Sequence, residues 1–264
     1  MVSVIITTKN EAVHLPACLT SIKQQTYTNL EIIVVDNHSK DKTKEIAKKY
    51  TPHVFDYGPE RSAQRNFGAK KARGEYLLFL DADMELSPNV VKECIEMIKD
   101  RVAIVIPEKS FGLGFWAKCK DLERQCYEGV EWMEAARFYT KEVFINAGRF
   151  DQQLTGPEDF EFAQRVKARF GAHATGRIDS YILHNEGNLS LAKLLQKKYY
   201  YGMRMARYRN APAARGYFQK QSNIFLRFWL YLRHPNMFFR DPIHYVGMVC
   251  MKTAEMGALA LGGV

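Results

Sequence analysis

The stretch Val2-Ser3-Val4-Ile5-Ile6-Thr7-Thr8 decides the fold class of this chain. It is an almost continuous run of β-branched and apolar residues, which is typical of a strand buried on both faces of a parallel sheet. The residues after it carry apolar side chains at Leu15, Leu19 and Ile22, the spacing of an amphipathic helix. A buried strand followed at once by a helix predicts a βαβ unit and therefore an α/β fold.

The same alternation continues through the first two thirds of the chain. Further strand-like segments cover 31–35, 53–55, 76–80, 102–106, 135–139 and 181–184. Helix-like segments cover 12–25, 40–50, 59–74, 88–99, 116–127 and 158–170, and glycines make 111–114 a predicted loop. Strands that alternate with helices at this spacing predict a mostly parallel sheet flanked by helices.

Composition and the change of pattern along the chain indicate the domain organisation. The chain has 264 residues, 47% of them hydrophobic and 25% charged, which is ordinary for a globular protein and excludes wholesale disorder. The pattern turns entirely helical after about residue 187. We therefore expect an α/β domain over 1–187, with halves at about 1–107 and 108–187, and a helical region over 188–264.

Cysteine usage and the N-terminus indicate the compartment. The five cysteines are odd in number and none has CxxC spacing, which argues against a secreted disulfide framework and against a zinc knuckle. The first apolar stretch is too short for a signal peptide and has no basic flank. The expected location is the reducing cytoplasm.

Positive charge is concentrated in one segment. The net charge is +9, and 187–240 carry 11 Lys or Arg without one Asp or Glu, so the rest of the chain has 27 basic against 29 acidic residues. The same segment holds 12 of the 33 aromatic residues. No window of about 20 uncharged residues occurs, so a spanning helix is not predicted. This segment should face something anionic.

Acidic residues follow two of the predicted strands. Ligands of open α/β sheets bind beyond the carboxyl ends of the strands, where Asp36 and Asp81 lie. In an extended segment, residues i and i+2 point to one side, so Asp81 and Asp83 could both face one divalent cation. A solvated turn is the alternative explanation.

Two further positions allow a structural and a chemical explanation. Glu158 and Asp159 begin a predicted helix, where acidic residues complement the helix dipole, but a carboxylate at the mouth of a cleft is also suited to act as a general base. His184 follows a short strand and is either structural or completes the coordination of a metal.

Together these segments resemble a family 2 glycosyltransferase with the GT-A fold, over about residues 2–187. The resemblance rests on several motifs in the family's order: VSVIITTKNE at 2–11, LTSIKQQTY at 19–27, VVDNHSKDKT at 34–43, RNFG at 65–68, LDAD at 80–83, GRFD at 148–151 and GPED at 156–159.

The resemblance implies a role for each matching position. The nucleoside pocket would be lined by Thr7, Lys9, Glu11, Asp36 and Asn37, with Arg65 as a nucleotide or phosphate contact and the first half, 1–107, as the nucleotide-binding half. Members of the family often have Pro-Thr-Tyr where this chain has Thr7-Thr8-Lys9. Lysine cannot stack on a base as tyrosine does, so the nucleobase of the expected UDP- or GDP-sugar donor stays open.

The chemistry that the resemblance implies is metal-dependent and inverting. Asp81 would touch the ribose and the metal, Asp83 would bind Mg²⁺ or Mn²⁺ on the diphosphate, and His184 would be a further metal or phosphate ligand. Asp159 would be the catalytic base, with Glu158 beside it. The Gln-x-x-Arg-Trp signature of processive members is absent, which favours addition of a single sugar.

Other classes of protein fit parts of the pattern. Nucleotidyltransferases share a related architecture and an acidic metal-binding pair, but they would show a glycine-rich phosphate loop, and 7–11 contains no glycine. A phosphatase would carry its DxD on an early strand. A non-enzymatic nucleic-acid-binding module could use the basic aromatic segment at 187–240, but the acidic motifs would then be idle. We expect no nucleic acid partner.

The helical region predicts membrane association. Apolar residues recur at helical spacing over 191–199 and cover 224–232 nearly all round, with Arg227, Arg233 and Arg240 placed to reach phosphates. A third apolar stretch, 243–261, is interrupted by charges and too broken to span a bilayer. We expect peripheral, monotopic binding to the anionic cytoplasmic membrane face and a lipid-phosphate or lipid-linked glycan acceptor. Helices that merely cap the catalytic domain are the alternative.

Overall fold

The computed structural model describes residues 1–263, with the backbone alone at Ala172. Its ten described strands are β1 (Val2–Thr8), β2 (Leu30–Asp36), β3 (Val54–Asp56), β4 (Tyr76–Asp81), β5 (Met84–Leu86), β6 (Ala103–Val105), β7 (Glu108–Leu113), β8 (Ala136–Thr140), β9 (Thr175–Arg177) and β10 (Ile182–Asn188). The strands expected from the sequence are all present: β1 has the expected bounds, and each of the others has at least one end shifted by one to four residues.

Helices fill the intervals and the C-terminal part of the described chain. They are α1 (Leu15–Lys23), α2 (Thr43–Lys48), α3 (Arg61–Lys71), α4 (Val90–Met97), α5 (Phe115–Tyr127), α6 (Lys141–Asn146), α7 (Glu158–Phe170), α8 (Leu191–Gly202), α9 (Met205–Asn210), α10 (Arg215–Ser222), α11 (Ile224–Leu232), α12 (Pro235–Arg240) and α13 (Pro242–Gly262). Short 3₁₀ turns cover Ile98–Asp100, Glu131–Met133 and Ala172–Ala174.

The chain forms two compact units, and each of them consists of two separate segments of the sequence. The first consists of Met1–Pro107 with Ala135–Leu183, and the second of Glu108–Glu134 with the described part of His184–Val264. Residues 108–134, which we placed in the α/β domain, thus belong to the same packing unit as the C-terminal helices. The functional division at about 187 stays a prediction.

The first unit is built on a seven-stranded sheet in the order β3-β2-β1-β4-β8-β6-β9. Strand β1 lies parallel between β2 and β4, so that Thr8 pairs with Asp36 and Thr7 pairs with Asp81. Only β8 runs antiparallel to its neighbours. The sheet is therefore mostly parallel and flanked by helices, as the sequence predicts, and the carboxyl ends of β1, β2 and β4 meet at one edge.

Apolar packing on both faces of this sheet fixes that edge. Every residue of β1 is buried, as expected for a central parallel strand. Helix α3 packs closely on β1 and β2 because Gly68 faces them: a Cβ there would collide with the side chain of Ile5. The Gln64 side chain, buried on the same helix, donates to the carbonyls of Thr8 (3.1 Å) and Val35 (2.7 Å). These contacts set α3 against the carboxyl ends of the two strands.

The loop predicted at 111–114 is wrong for most of its length, because β7 runs through Leu113. In the second unit a Cβ on Gly112 would lie 2.7 Å from the carbonyl oxygen of Gly187 in β10. Glycine therefore serves here for close backbone approach between strands, which its sequence signal does not distinguish from a loop. Gly114, with φ of +84°, then precedes α5.

The second unit buries charged residues among its helices. Lys252 of α13 lies 2.6 Å from a Glu123 oxygen of α5 and 2.9 Å from a Glu255 oxygen. Both glutamate side chains are 2% exposed. The charges that interrupt the apolar stretch 243–261 are thus ion pairs inside this unit. Within residues 1–263, no helix has both the length and the hydropathy needed to cross a membrane.

Candidate functional site

Asp81 ends β4 at the edge where the parallel strands meet. Its Oδ1 accepts hydrogen bonds from Thr7 Oγ1 at 2.8 Å and from Arg65 Nη2 at 2.9 Å. Its Oδ2 lies 3.4 Å from Arg61 Nη1. The side chain is 14% exposed, so these contacts operate largely away from water. Thr7 and Asp81, to which the resemblance assigns contacts with the nucleotide, are therefore in direct contact.

Arg65 bridges two carboxylates. Its Nη2 holds Asp81, and its Nη1 donates to Glu158 Oε1 at 3.2 Å. The side chains of Arg65 and Glu158 are each 2% exposed. The other Glu158 oxygen accepts from the backbone N–H of Gly156 at 2.8 Å. Because this guanidinium is buried and committed to protein carboxylates, its geometry suits a positioning role better than the substrate contact implied by the resemblance.

Two arginines without a predicted role, Arg61 and Arg137, complete the charge balance. Arg61 lies one turn before Arg65 on α3 and is also 3.6 Å from Glu158. Arg137, on β8 beside β4, is 8% exposed and acts on Asp81 through its charge. Burial acts to raise the pKa of Asp81, but the three arginine charges outweigh it and hold that pKa well below its ordinary value. Asp81 is thus ionised at neutral pH.

Asp159 occupies a different environment from its neighbour. It is half-buried at the start of α7, and its Oδ1 accepts the backbone N–H of Phe160 at 2.8 Å. Burial and then the nearby Glu158 charge raise the pKa of Asp159, against the opposing charges of the arginines. A carboxylate with a raised pKa binds a proton more readily, which is the property that a general base needs.

The Asp81-Ala82-Asp83 segment does not have the extended geometry on which the expected metal pair rested. Residues 82 and 83 form a turn between β4 and β5. The expectation that Asp81 and Asp83 point to one side, as alternate residues of an extended segment, is therefore wrong. Asp83 is half-buried and lies near Glu11, where its charge, after burial, contributes to raising the pKa of Glu11. The turn places Asp83 near Glu11, a carboxylate that the resemblance assigns to the nucleoside pocket.

The carboxylates of Asp81 and Asp83 fit a hard divalent cation whose other ligands come mainly from the phosphates of a bound substrate. In the described part of the chain, no three His, Cys, Asp or Glu side chains converge as a ready-made metal site. Mg²⁺ and similar ions commonly take one or two protein carboxylates and complete their coordination with phosphate oxygens and water. Asp83, with Asp81 two residues before it, supplies oxygen ligands of that kind.

The loops after β1 and β2 hold the remaining predicted nucleoside residues. Asp36 is fully buried, and its Oδ2 accepts the Ser39 N–H at 2.7 Å. The N–H of Asn37 donates to the carbonyl of Thr8 at 2.8 Å, while Lys9 is exposed. The two loops are also joined by Asn10, whose Oδ1 accepts the N–H of Lys40 at 2.9 Å. These contacts order both loops at the carboxyl ends of the strands.

His184 belongs to the second unit. Its Nδ1 lies 3.1 Å from Arg124 Nη2 and 3.5 Å from Glu108 Oε2. Glu186 lies 3.3 Å from the same Arg124 nitrogen and also accepts from Ser110 Oγ at 2.8 Å. The role of His184 as a metal or phosphate ligand stays a prediction.

The sequence carried weak signals for the two missed arginines. Arg61 and Arg65 are four residues apart on one helix, the spacing that places side chains on one face. Arg137 interrupts the apolar strand Ala136–Thr140. An arginine within a buried strand needs a carboxylate or other polar partner, which makes it a candidate site residue.

Comparison with known proteins identifies the family of this chain. The family model described as glycosyl transferase family 2 matches residues 3–148, more than half of the chain. An uncharacterized glycosyltransferase of Haemophilus influenzae is 28% identical over 182 residues, which cover 63% of this chain and 62% of the relative. The first relatives are matched over 32–62% of their own length.

Solved structures of low sequence identity share the fold. A mannosyltransferase of Pyrobaculum calidifontis in complex with GDP-Man and Mn²⁺ matches with a TM-score of 0.68 at 16% identity, covering 99% of this chain and 86% of that one. The S. aureus protein TarS, residues 1–349, in complex with UDP-GlcNAc matches with a TM-score of 0.55 at 17% identity, covering 99% and 90%.

Proposed function

Because the chain belongs to glycosyl transferase family 2, we propose that it moves one sugar from a nucleotide-sugar donor to an acceptor with inversion at the anomeric carbon. The family match favours this activity over the nucleotidyltransferase alternative. The observation that carries the proposal is the pair formed by two unlike carboxylates: Asp81, held as an anion at the sheet edge, and Asp159, whose pKa is raised. One is suited to donor binding and the other to proton transfer.

Asp159 is the base in this proposal. The acceptor hydroxyl gives its proton to the Asp159 carboxylate while its oxygen forms a bond to the anomeric carbon. The bond between that carbon and the donor phosphate breaks, and its electron pair leaves with the nucleoside diphosphate. Attack opposite the leaving group inverts the configuration, so an α-linked donor gives a β-linked product.

Glu158 has a different task. Its oxygens are occupied by Arg65 and by the N–H of Gly156, and its side chain is 2% exposed. It therefore fixes the start of α7 and contributes, through its charge, to the raised pKa of Asp159. These contacts support Asp159 over Glu158 as the base in this proposal.

The donor site combines residues from the ends of β1, β2 and β4. Thr7, Glu11, Asp36 and Asn37 would face the nucleoside, with the exposed Lys9 at the rim. Asp83, with Asp81, would hold Mg²⁺ or Mn²⁺. When bound, such an ion neutralises charge on the departing diphosphate. The structural neighbours in complex with Mn²⁺ and with GDP-Man or UDP-GlcNAc support a divalent metal and a UDP- or GDP-sugar.

The acceptor in this proposal is a lipid-phosphate or lipid-linked glycan at the cytoplasmic face of a membrane. The support is the charge of 187–240, which contain 11 basic residues and no acidic residue. Such a segment accumulates next to an anionic surface, where each basic residue contributes about 1 kcal/mol.

The test is Asp159→Asn in the full chain. Transfer should fall by about 10²–10⁴, the usual contribution of a positioned base, while calorimetry with Mn²⁺ and UDP or GDP gives the wild-type affinity. Glu142→Gln is the matched control, since Glu142 also lies in the first turn of a helix, α6, which begins directly after strand β8. Transfer that survives in Asp159→Asn would assign the base to another residue. A wild-type protein that binds neither nucleotide would refute the donor site.

A further inference from the structure

One face of helix α11 is apolar and exposed. Phe225, Trp229 and Leu232 recur at i, i+4 and i+7, and their exposed fractions are 83%, 59% and 68%. We call these three residues the α11 stripe. At 100° per residue they lie within about 60° of one another around the helix axis. The opposite side of the helix carries Leu230 and Tyr231, which are buried in the second unit.

Exposed apolar residues are concentrated in α11 and the two helices after it. Of the 19 large hydrophobic residues that are exposed in the described chain, nine lie in the 23 residues 224–246. Phe239 and Ile243, which follow the stripe in sequence, are 79% and 71% exposed. The α11 stripe is a contiguous apolar face of one helix, and an exposed surface of this kind marks a site of association with a protein or a membrane.

The charge of this part of the chain decides between these occupants. Arg233, adjacent to Leu232, and Arg240 are both exposed. No acidic residue occurs from 187 to 240, and the single acidic residue of 224–246, Asp241, lies 2.8 Å from His244 Nδ1. A symmetric dimer through the stripe would bring the same basic surface of two copies together, and like charges in an interface are unfavourable. An anionic surface meets no such repulsion.

We propose that the α11 stripe docks in the headgroup region of an anionic lipid bilayer, with Arg233 and Arg240 at lipid phosphates. The helix has nine residues, about 14 Å at 1.5 Å per residue, so it would lie in the plane of the interface. Tryptophan and phenylalanine suit this depth because their rings prefer the boundary between headgroups and acyl chains.

The structure also changes which arginines take part. Arg227, expected from the sequence to reach phosphates, points into the second unit, where it donates to the Tyr127 hydroxyl at 2.9 Å and to the Gln221 carbonyl at 2.8 Å. It fastens α11 to the unit and leaves the stripe outward. The proposal rests on the membrane location of the acceptor proposed above and adds the surface that carries it.

The experiment is flotation of the full chain with vesicles of equal parts phosphatidylglycerol and phosphatidylcholine. The wild-type protein should bind at 0.1 M NaCl and bind less at 0.5 M NaCl, and pure phosphatidylcholine should bind less. Trp229→Gln/Leu232→Gln should weaken binding at least tenfold. The matched control is Met203→Gln/Leu261→Gln, which removes two residues of the same unit that are 53% and 71% exposed, and it should bind as the wild type does.

Three results would overturn the proposal: no binding of the wild-type protein at 0.1 M NaCl, equal binding by both double variants, or a dimer in solution that only the α11 variant abolishes. Because all four positions are exposed, the variants should keep the wild-type circular dichroism. Nucleotide affinity measured on the same samples separates the two hypotheses. Loss of nucleotide binding in the wild type counts against the proposed transferase, whereas loss of flotation alone counts against the docking surface.

Discussion

Replacing Arg65 with methionine should destabilise the protein strongly near neutral pH. The substitution keeps much of the side-chain volume but removes the buried cation that Asp81 and Glu158 share at 2.9 and 3.2 Å. Breaking a buried ion pair by removing one partner costs about 3–5 kcal/mol, because a charge is left without compensation. Arg61 remains 3.4 and 3.6 Å from the same two carboxylates. We therefore expect a loss near the lower end, about 3 kcal/mol.

The loss should depend on pH, and its sign follows from Asp81. In the wild type the pKa of Asp81 lies well below its unfolded value, so this carboxylate contributes stability above about pH 4 that is lost as the pH falls through the folded pKa. Without Arg65, burial acts on Asp81 with less opposition and its folded pKa rises. The variant can then protonate Asp81 at mild acid pH and escape part of the penalty. The difference between the two proteins should grow from pH 4.5 to pH 7.5.

Urea unfolding of both proteins at these two pH values measures the effect. The control is Lys70→Met, which removes an exposed cation from the same helix and should change the unfolding free energy by less than about 0.5 kcal/mol at either pH. An Arg65→Met protein as stable as the wild type at pH 7.5 would show that the bridge is energetically unimportant. An equal loss at both pH values would show that lost packing, and not charge, is responsible.

Two further substitutions test the metal site and the second unit. Asp83→Asn should abolish the Mn²⁺-dependent part of nucleoside diphosphate binding measured by calorimetry, because the cation loses an anionic ligand; an unchanged affinity would remove Asp83 from the site. Gly202→Ala should destabilise by about 1–3 kcal/mol in thermal unfolding, since a Cβ there collides with the carbonyl of Leu259, whereas the helical Gly257 has open space and its alanine variant should be neutral or stabilising. Equal effects of the two alanines would contradict the close packing of α8 and α13.

The sheet could be predicted because its strands carry the signal themselves. A central parallel strand must be apolar on both faces, and Val2–Thr8 is buried at every position. The sequence predicts strand β8, at 135–139, but not its antiparallel direction, and the short β5 and β9 carry no such signal. Their pairing depends on which neighbours the rest of the chain supplies, and three residues are too few to show a period.

The site was predictable in its residue types and not in its connections. The sequence placed Asp36 and Asp81 at strand ends, and the structure has both there. It could not show that Asp83 lies in a turn, because a segment of two residues after a strand is too short to show a hydrophobic periodicity. It also could not show that the guanidinium of Arg65 is shared between Asp81 and Glu158, which lie 16 and 93 positions further along the chain. Such contacts depend on tertiary packing alone.

Glu158 and Asp159 illustrate how that packing assigns chemistry. Adjacent residues of a helix point about 100° apart, so at the start of α7 one carboxylate turns inward and the other towards the surface. The inward one, Glu158, accepts a hydrogen bond from Arg65 at 3.2 Å. Its fixed charge then contributes to raising the pKa of Asp159. A single acidic residue would have to be both the anchor of the helix and the acceptor of a proton, and a carboxylate held by a buried arginine is a poor base. The pair separates these requirements: the buried arginine stabilises one anion, and that anion strengthens the basicity of the next.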